Sequence, residues 1–411
     1  METKNKLKVL LVSEYFPPKI FGGGEISAYL LAKNLAKKGI DVSVLTSKSK
    51  DLLNFEEKDG AKIYRRLKTG ESPNGLKNNI KRVFEFSKSV KKEIKKIEKE
   101  IFPDIIHFLN TTSIVKIKTK AKKFATINGY APFCPKGNLW YNEKSACSGC
   151  NPFKFVRCIM NSEYVGKNKI RWYLKYNPIF WCLVYYPYVS RRKALSSIDR
   201  FIAISDFVRQ TLINHKVPDY KISKIYNIAE IPDNNLEIKE LKERIKNKKI
   251  VSTMSTLDKI KGIDLAIRAF SKIKNKKAVL LVVGDGPERP KLEVLSAALG
   301  LKEKVIFAGK IEQKFIPFIY KNSYLILLTS LWPEPFSRVP MEAAYFKKPI
   351  LASAIGGNLD LPDEFLFRTE DELAEKIDLS LSKNQKSEDF SKYNPEKNIK
   401  KVIDLYFSVN N

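Results

Sequence analysis

The sequence predicts an α/β protein built from two doubly wound domains that face each other across a cleft. Short apolar runs alternate with helical patterns along most of the 411 residues, and one polar segment divides these runs into two series. Strands that are apolar throughout belong to parallel sheets that helices cover on both faces. A chain of this length is also too long for one ordinary core.

The first series of runs predicts an N-terminal domain over residues 1–228. We expect its strands at 7–12, 42–46, 63–65, 105–108, 124–127 and 201–204. We expect helices at 25–38 and 80–101, the second because its apolar residues recur with a period close to 3.6.

The second series predicts a C-terminal domain over residues 250–385. We expect its strands at 250–254, 279–283, 305–308, 324–328 and 350–352, and its helices at 262–273, 289–299 and 340–346. The polar segment 229–249 is interpreted as a linker, and 386–411 as a C-terminal helix that packs back on the first domain. Ligands of such domains bind beyond the carboxyl ends of the strands.

The chain is strongly basic, with 75 Lys and Arg against 45 Asp and Glu and a net charge of +30. Such a charge fits an anionic partner: nucleic acid, a phospholipid surface or a diphosphate. Nucleic acid is not expected, because the basic clusters lie on separate elements and no helix-turn-helix, RNP-like or Arg/aromatic repeat signature is present. The apolar run 7–12 is too short for a signal peptide or a membrane span, so we expect a cytoplasmic protein.

The strongest motif runs from residue 331 to residue 344. Glu334 lies in a loop bracketed by prolines, and Glu342 follows eight positions later in the first turn of a helix that Pro340 can begin. A helix N-terminus suits a diphosphate, and a nearby carboxylate can accept hydrogen bonds from sugar or ribose hydroxyls. From the spacing alone, an ordinary loop acid and an acid that favours the helix dipole explain the two glutamates equally well.

In their order along the chain, these motifs resemble the retaining GT-B glycosyltransferases of family 4. Glu334-x7-Glu342 is similar to the acidic motif of that family, and the sequences at 348–350 and 356–357 are similar to the strand and glycine turn that follow it. Further matches lie at 15–18, 22–25, 35–39, 103–107, 204–206, 261–262 and 284–287. The resemblance therefore extends over nearly the whole chain.

The resemblance implies a transferase of the hexosyltransferase type. It would move a sugar from a nucleotide-diphosphate-sugar donor, with retention, to a glycan or lipid-linked acceptor in cell-surface polysaccharide or glycoconjugate synthesis. Glu334 would lie near the hydroxyls of the donor sugar, Glu342 would hold the ribose, and Lys261 would neutralise the departing diphosphate. Because no Asp-x-Asp sequence ends a strand, we expect transfer without a metal or another cofactor.

The resemblance also assigns further binding residues. Gly22, Gly23 and Gly24 would form a phosphate or acceptor loop, in which a Cβ would block close approach of the backbone. A plain turn is the alternative for this glycine run. The remaining donor-binding residues would be Thr256, Gly284, Gly286, Phe336, Ser337 and Arg338.

Two positions depart from the family pattern. Thr256 stands five residues before Lys261, where the family usually has an arginine, and a hydroxyl cannot make the bidentate charged contact of a guanidinium. Asn128, a candidate catalytic residue, follows a strand where the family commonly has a histidine, and an amide does not titrate. These departures keep two alternatives open: another GT-B activity such as a nucleotide-sugar epimerase, and a catalytically silent protein that binds sugar nucleotides.

Four of the five cysteines lie within 25 residues, in a loop-like insertion at about 130–160: Cys134, Cys147, Cys150 and Cys158. Cys147-x2-Cys150 has the spacing of a metal knuckle. In a reducing compartment, one structural zinc ion is favoured over two disulfides. Ordinary thiols are the alternative.

An aromatic-rich run at 179–189 is followed by Arg191, Arg192 and Lys193. Such a segment suits insertion at an interface beside anionic headgroups. We therefore expect peripheral attachment to the cytoplasmic face of a membrane, and a buried helix is the alternative.

Overall fold

The structure, a computed structural model, describes residues 6–72, 78, 81–165, 168–382 and 386–409, with only the backbone of residue 168. The chain forms two compact units. The first runs to Ile228 and resumes at Tyr393, and the second runs from Ala229 to Lys392.

The first unit is built on an eight-stranded sheet in the order β12-β11-β6-β5-β1-β2-β4-β3, in which only β3 is antiparallel to its neighbour. Its strands are β1 (Lys8–Val12), β2 (Asp41–Ser47), β3 (Phe55–Lys58), β4 (Ala61–Leu67), β5 (Ile105–Phe108), β6 (Lys122–Ile127), β11 (Arg200–Ala203) and β12 (Ile222–Lys224). The insertion adds two short ribbons, β7 (Trp140–Tyr141) with β8 (Ser145–Ala146), and β9 (Tyr164–Val165) with β10 (Asn168–Lys169).

The helices of the first unit are α1 (Gly23–Lys37), α2 (Ser87–Ile101), α3 (Pro152–Met160), α4 (Pro178–Leu195), α5 (Asp206–Asn214) and α12 (Pro395–Phe407). The side chains of Asn151, Asn177 and Ser205 begin α3, α4 and α5 by accepting hydrogen bonds from backbone N–H groups of the first turn. The predicted helix 80–101 enters α2 through a π-helical turn at Arg82–Phe86, and Ile80 lies outside the described residues.

The C-terminal helix α12 packs into the core of the first unit. Val402 and Tyr406 are buried in the same cluster as β1 and α1. His107 on β5 bridges this helix to the sheet, because its Nδ1 lies 2.6 Å from the Tyr406 hydroxyl and its Nε2 lies 2.8 Å from Thr126 Oγ1. Burial lowers the pKa of His107 to about 3, so the imidazole is neutral and structural.

The second unit is built on a six-stranded parallel sheet in the order β15-β14-β13-β16-β17-β18. Its strands are β13 (Lys249–Met254), β14 (Ala278–Val283), β15 (Val305–Gly309), β16 (Leu325–Leu328), β17 (Ile350–Ser353) and β18 (Leu366–Phe367). Its helices are α6 (Lys239–Ile245), α7 (Ile263–Lys272), α8 (Arg289–Ala298), α9 (Ile316–Asn322), α10 (Val339–Tyr345) and α11 (Glu370–Ser382).

The segment 229–249 differs from the linker that its polar composition predicts. It belongs to the second unit and contains α6, whose Leu241 and Ile245 are buried beside β13 and β14. Two apolar side chains are enough to attach this short charged helix to the sheet, and they are too few to give a visible period.

Apart from the antiparallel β3–β4 pair at the edge of the first sheet, each sheet reverses its chain order at one point, so the predicted doubly wound fold is confirmed. In the first sheet the order reverses between β1 and β5, and in the second between β13 and β16. Loops at the carboxyl ends of such strand pairs diverge and leave a crevice in which ligands bind. These two points are therefore where functional side chains are to be sought.

Candidate active site

The reversal point of the second sheet holds an ion pair between two predicted site residues. Lys261, in the loop after β13, places Nζ 2.5 Å from Oε1 of Glu334, in the loop after β16. Ser330 donates a further hydrogen bond to the same carboxylate, and Glu334 is only 5% exposed. A buried carboxylate that a lysine and a serine hydroxyl both contact is fixed in position, as contacts to a polar ligand require.

Glu342 lies in the first turns of α10 and makes two side-chain contacts within the unit. The Tyr320 hydroxyl donates to Oε2 at 2.8 Å, and Arg338 Nη2 lies 3.3 Å from Oε1. Burial raises the pKa of Glu342, and the Arg338 guanidinium and the Tyr320 hydroxyl oppose this only in part. Among the described residues, Arg338 Nη1 is buried without a hydrogen-bond partner.

Two glycine segments allow the site loops to pack closely. At Gly284, with φ of +130°, a Cβ would lie 1.8 Å from the carbonyl oxygen of Ser255, next to Thr256. At Gly357, a Cβ would lie 2.1 Å from the carbonyl oxygen of Pro335, and its N–H donates to the Glu334 carbonyl at 2.7 Å. These glycines fix the loops that carry Thr256 and Glu334.

The remaining predicted donor residues lie in the same loops. Gly286 packs against Leu257, Phe336 is buried, and Ser337 accepts a hydrogen bond from the Val339 N–H at 3.3 Å. Thr256 is exposed. The second unit thus brings Lys261, Glu334 and the loop of Thr256 to one edge of its sheet.

In the first unit, Gly24 and Asn128 line one small cavity of about 30 Å³. Asn128 follows β6 and donates from Nδ2 to the Leu109 carbonyl at 2.6 Å. The described part of the chain does not itself require glycine at these two positions. Gly22 has an extended φ of −178°, which any residue adopts, and a Cβ at Gly24 would lie 3.6 Å from Asn128 Nδ2, an ordinary contact. Gly23 is exposed at the start of α1.

The reversal point of the first sheet carries a buried carboxylate that sequence reasoning missed. Glu14, only 1% exposed, accepts two 2.6 Å hydrogen bonds from Arg82 and one each from Thr69 and Thr112. Burial alone would raise the pKa of Glu14, but Arg82 and the two threonines hold it below its usual value. The only sequence signal was an acid two residues after the end of an apolar strand.

The four cysteines predicted to bind zinc line one cavity of about 10 Å³. Burial and the three neighbouring thiols raise the pKa of Cys150 to about 12. The thiols are not, however, arranged as metal ligands. Among the described residues, no group of three or more His, Cys, Asp or Glu side chains is arranged to hold a metal ion. The Cys147 thiol instead donates to the Gly149 carbonyl at 3.2 Å, and Cys158 Sγ lies 3.8 Å from Ser162 Oγ.

The aromatic run 179–189 forms most of α4, and it divides between two environments. Trp181 and Tyr185 are partly buried, with the Trp181 indole donating to the Lys175 carbonyl at 2.8 Å and the Tyr185 ring packing on Phe155. Ile179 and Tyr186 are exposed. No helix in the described residues combines the length and apolar character needed to cross a bilayer.

The sequence profile named Glycosyltransferase Family 4 matches residues 21–230, just over half of the 411 residues. The chain belongs to glycosyltransferase family 4. A second profile, Glycosyl transferases group 1, matches residues 235–397 of this transferase, a range that contains Lys261, Glu334 and Glu342.

Relatives and solved structures extend the likeness to most of the transferase. It is 24% identical over 366 residues to the uncharacterised glycosyltransferase MJ1607 of Methanocaldococcus jannaschii, covering 86% of this chain and 82% of the relative. Sucrose-phosphate synthase of Thermosynechococcus elongatus has a TM-score of 0.71 at 18% identity, covering 98% of this chain and 99% of its own. HepE of Anabaena, solved in complex with UDP, has a TM-score of 0.67 at 18% identity, covering 98% and 100%. These likenesses confirm the predicted GT-B fold.

Proposed function

We propose that this transferase moves a hexose from a nucleotide-diphosphate-sugar donor to a glycan or lipid-linked acceptor, with retention at the anomeric carbon. The observation that carries the proposal is the ion pair of Lys261 with the buried Glu334 at the reversal point of the second sheet. The UDP bound in the HepE structure supports a nucleotide donor. The resemblance directs the proposal to synthesis of cell-surface polysaccharides or glycoconjugates.

The charges of the second unit suit a reaction that releases a diphosphate. The bond from the anomeric carbon to the diphosphate breaks, an acceptor oxygen bonds to that carbon, and the acceptor proton leaves with the nucleoside diphosphate. Negative charge grows on the leaving group, so cations fixed nearby lower the barrier. Lys261 provides one such cation, and we propose that this lysine makes a metal ion unnecessary.

Arg338 is the second cation in our proposal. Thr256 cannot replace the arginine that the family pattern has at its position, whereas Arg338 keeps a buried Nη1 without a hydrogen-bond partner among the described residues. Glu334 would accept hydrogen bonds from the donor sugar, and Glu342 from the ribose. Asn128, which follows β6 in the first unit, is proposed as a further catalytic residue.

The test is a screen of nucleotide-sugars for thermal stabilisation, followed by transfer assays. A donor present at 100 times its Kd adds roughly 2.7 kcal/mol to the free energy of unfolding. We expect one donor to stabilise the protein and to be consumed in EDTA. Absence of both effects for every donor tested would contradict the proposal, and activity that EDTA abolishes and Mg²⁺ restores would contradict its metal-free part. A free, epimerised sugar formed without acceptor would instead identify an epimerase.

A further inference from the structure

A cavity of about 650 Å³ opens at the carboxyl ends of β5 and β6 in the first unit. Its walls come from the loops after these two strands, from the insertion and from α4. The volume is that of a typical small-molecule site. The cavity begins at Gly129, the residue after Asn128, so it adjoins a proposed site residue.

One wall of this cavity is apolar. Phe180, Leu183, Val184 and Pro187 project from one side of α4, and Ile170 and Leu174 of the insertion also line the cavity. Phe180, Leu183 and Val184 are only partly buried, and covering the parts that face the cavity with a hydrocarbon would remove apolar surface from water. The wall therefore favours a ligand with a hydrocarbon portion.

The charged part of the lining is basic. It contains Arg82, Lys136, Lys169, Arg171 and Arg191, and the described lining has no Asp, Glu, Asn or Gln. Carboxylate and amide groups, which commonly bind sugar hydroxyls, are missing from the described lining, whose uncharged polar side chains are the hydroxyls of Thr111, Thr112, Tyr130 and Tyr173. A phosphate, which only accepts hydrogen bonds from Arg and Lys, fits such a lining.

Arg191 concentrates this charge, one helical turn beyond Pro187. Among the described residues its Nε is buried without a hydrogen-bond partner, whereas Arg82 is already paired with Glu14. Burial and the nearby Arg82 lower the pKa of Arg191 to about 10, so both guanidinium groups are charged at neutral pH. Arg82 pairs with Glu14, and among the described residues Arg191 has no ion-pair partner, so an anion would relieve the repulsion between the two guanidinium groups.

We propose that this cavity binds the acceptor as a lipid-linked phosphate, with Arg191 and Arg82 at the phosphate and the apolar wall of α4 along the first part of the lipid chain. The inference rests on the proposed function and narrows its acceptor to an amphipathic phosphate ester. The sugar-accepting end of such a molecule would lie toward Asn128.

Farnesyl diphosphate is a suitable probe, with inorganic diphosphate and farnesol as separate arms. Measured by calorimetric titration, farnesyl diphosphate should bind the wild-type protein at least about tenfold more tightly than either arm, because only it occupies both parts of the cavity. Arg191→Met should weaken its binding by about tenfold or more. Lys193→Met, which removes the same charge from an exposed position outside the cavity, should leave it within about twofold.

Phe180→Ser tests the apolar wall independently of the charge. It should weaken farnesyl diphosphate and leave inorganic diphosphate unchanged. The inference would be overturned if the wild type and Arg191→Met bound farnesyl diphosphate with equal affinity. It would also be overturned if the wild type bound farnesyl diphosphate no more tightly than inorganic diphosphate. Nucleotide-sugar binding, measured in the same preparations, distinguishes failure of the proposed function from failure of the acceptor site. Wild-type protein that binds no nucleotide-sugar would contradict the proposed function. Wild-type protein that binds a nucleotide-sugar but not farnesyl diphosphate would contradict the acceptor site alone.

Discussion

Lys261 and Glu334 are 73 residues apart in the chain, yet the lysine Nζ lies 2.5 Å from the glutamate Oε1. Each residue follows one of the two strands, β13 and β16, between which the second sheet reverses its order. The lysine ammonium and the glutamate carboxylate thus occupy each other as hydrogen-bond partners. A donor diphosphate would compete for the lysine and leave the carboxylate to the sugar.

Replacing Lys261 tests this competition. Lys261→Met should weaken nucleoside diphosphate binding by roughly 10- to 100-fold, the range expected for a lost hydrogen bond between charged groups. Glu334→Gln should mainly lower kcat, because its proposed partner is the reacting sugar. Lys276→Met is the matched control, since this exposed lysine precedes β14 at the opposite edge of the same sheet. Unchanged diphosphate affinity in Lys261→Met would exclude the assigned role.

Glu342→Ala should weaken donor binding by about tenfold or more, because it removes the proposed acceptor for the ribose hydroxyls. It should also lower the free energy of unfolding by about 1–3 kcal/mol, because the buried Tyr320 hydroxyl loses its acceptor. Glu342→Gln restores an acceptor and should recover most of the stability, so donor titration of that variant isolates the effect on binding. Normal donor affinity in a folded Glu342→Ala protein would remove Glu342 from the site.

The cysteine cavity gives a prediction about metal content. Four thiols border a cavity of about 10 Å³, which is large enough for a single ion. We propose that this cavity holds one zinc ion once the thiols turn toward it. Elemental analysis should find about one equivalent of zinc, which Cys150→Ser releases. The exposed Cys182→Ser is the control and should retain it. Protein purified without chelator that contains no zinc would leave the thiols as ordinary buried groups.

His107 predicts a pH dependence of stability in the first unit. Its pKa falls from 6.5 to about 3 on folding, so below pH 6.5 the unfolded chain takes up a proton that the folded chain cannot. Stability is therefore lost as the pH falls through 6.5, by about 2 kcal/mol at pH 5. His107→Gln does not titrate, and its thermal unfolding should lack this component. If the stability of the two proteins depended on pH in the same way, the pKa of His107 would not be lowered by folding.

Membrane attachment is predicted through the exposed side chains of this region, Ile179 within the run 179–189 and Trp172 before it. Trp172 and Ile179 are 76% and 72% exposed, whereas Trp181 and Tyr185 are partly buried. We expect the protein to sediment with anionic vesicles at low salt, at about 1 kcal/mol for each nearby Lys or Arg, and to be partly released at high salt.

The binding that remains at high salt should depend on the apolar side chains. The double variant Trp172→Ser, Ile179→Ser should lose it, while Val294→Ser, at a position 69% exposed in the second unit, should not. Wild-type protein that ignores anionic vesicles at low salt would instead favour a soluble acceptor.

The central strands could be predicted from the sequence because burial on both faces makes them apolar throughout, as in the run 278–283 of β14. The edge strand β3, with the sequence Phe-Glu-Glu-Lys, was missed. It pairs with one strand only and is largely exposed to solvent, so its residues need not be apolar. Lys261 and Glu334 were found through motif order, which fixes residue types near the reversal point.

The pairing of Glu14 with Arg82 could not be predicted in the same way. The two residues are 68 positions apart, and no local period or motif connects them. Arg191 was visible only as part of a basic triplet, and its position in the cavity depends on how α4 is rotated. Contacts that depend on tertiary packing leave no local signal.

The return of the chain at Tyr393 has a consequence for biosynthesis. Because Val402 and Tyr406 complete the core around β1 and α1, the first unit cannot finish its core until the residues of α12 have left the ribosome. The second unit, made entirely between residues 229 and 392, can fold while the first still waits for α12. A nascent chain stalled before residue 393 would thus expose the apolar surface of the half that was synthesised first.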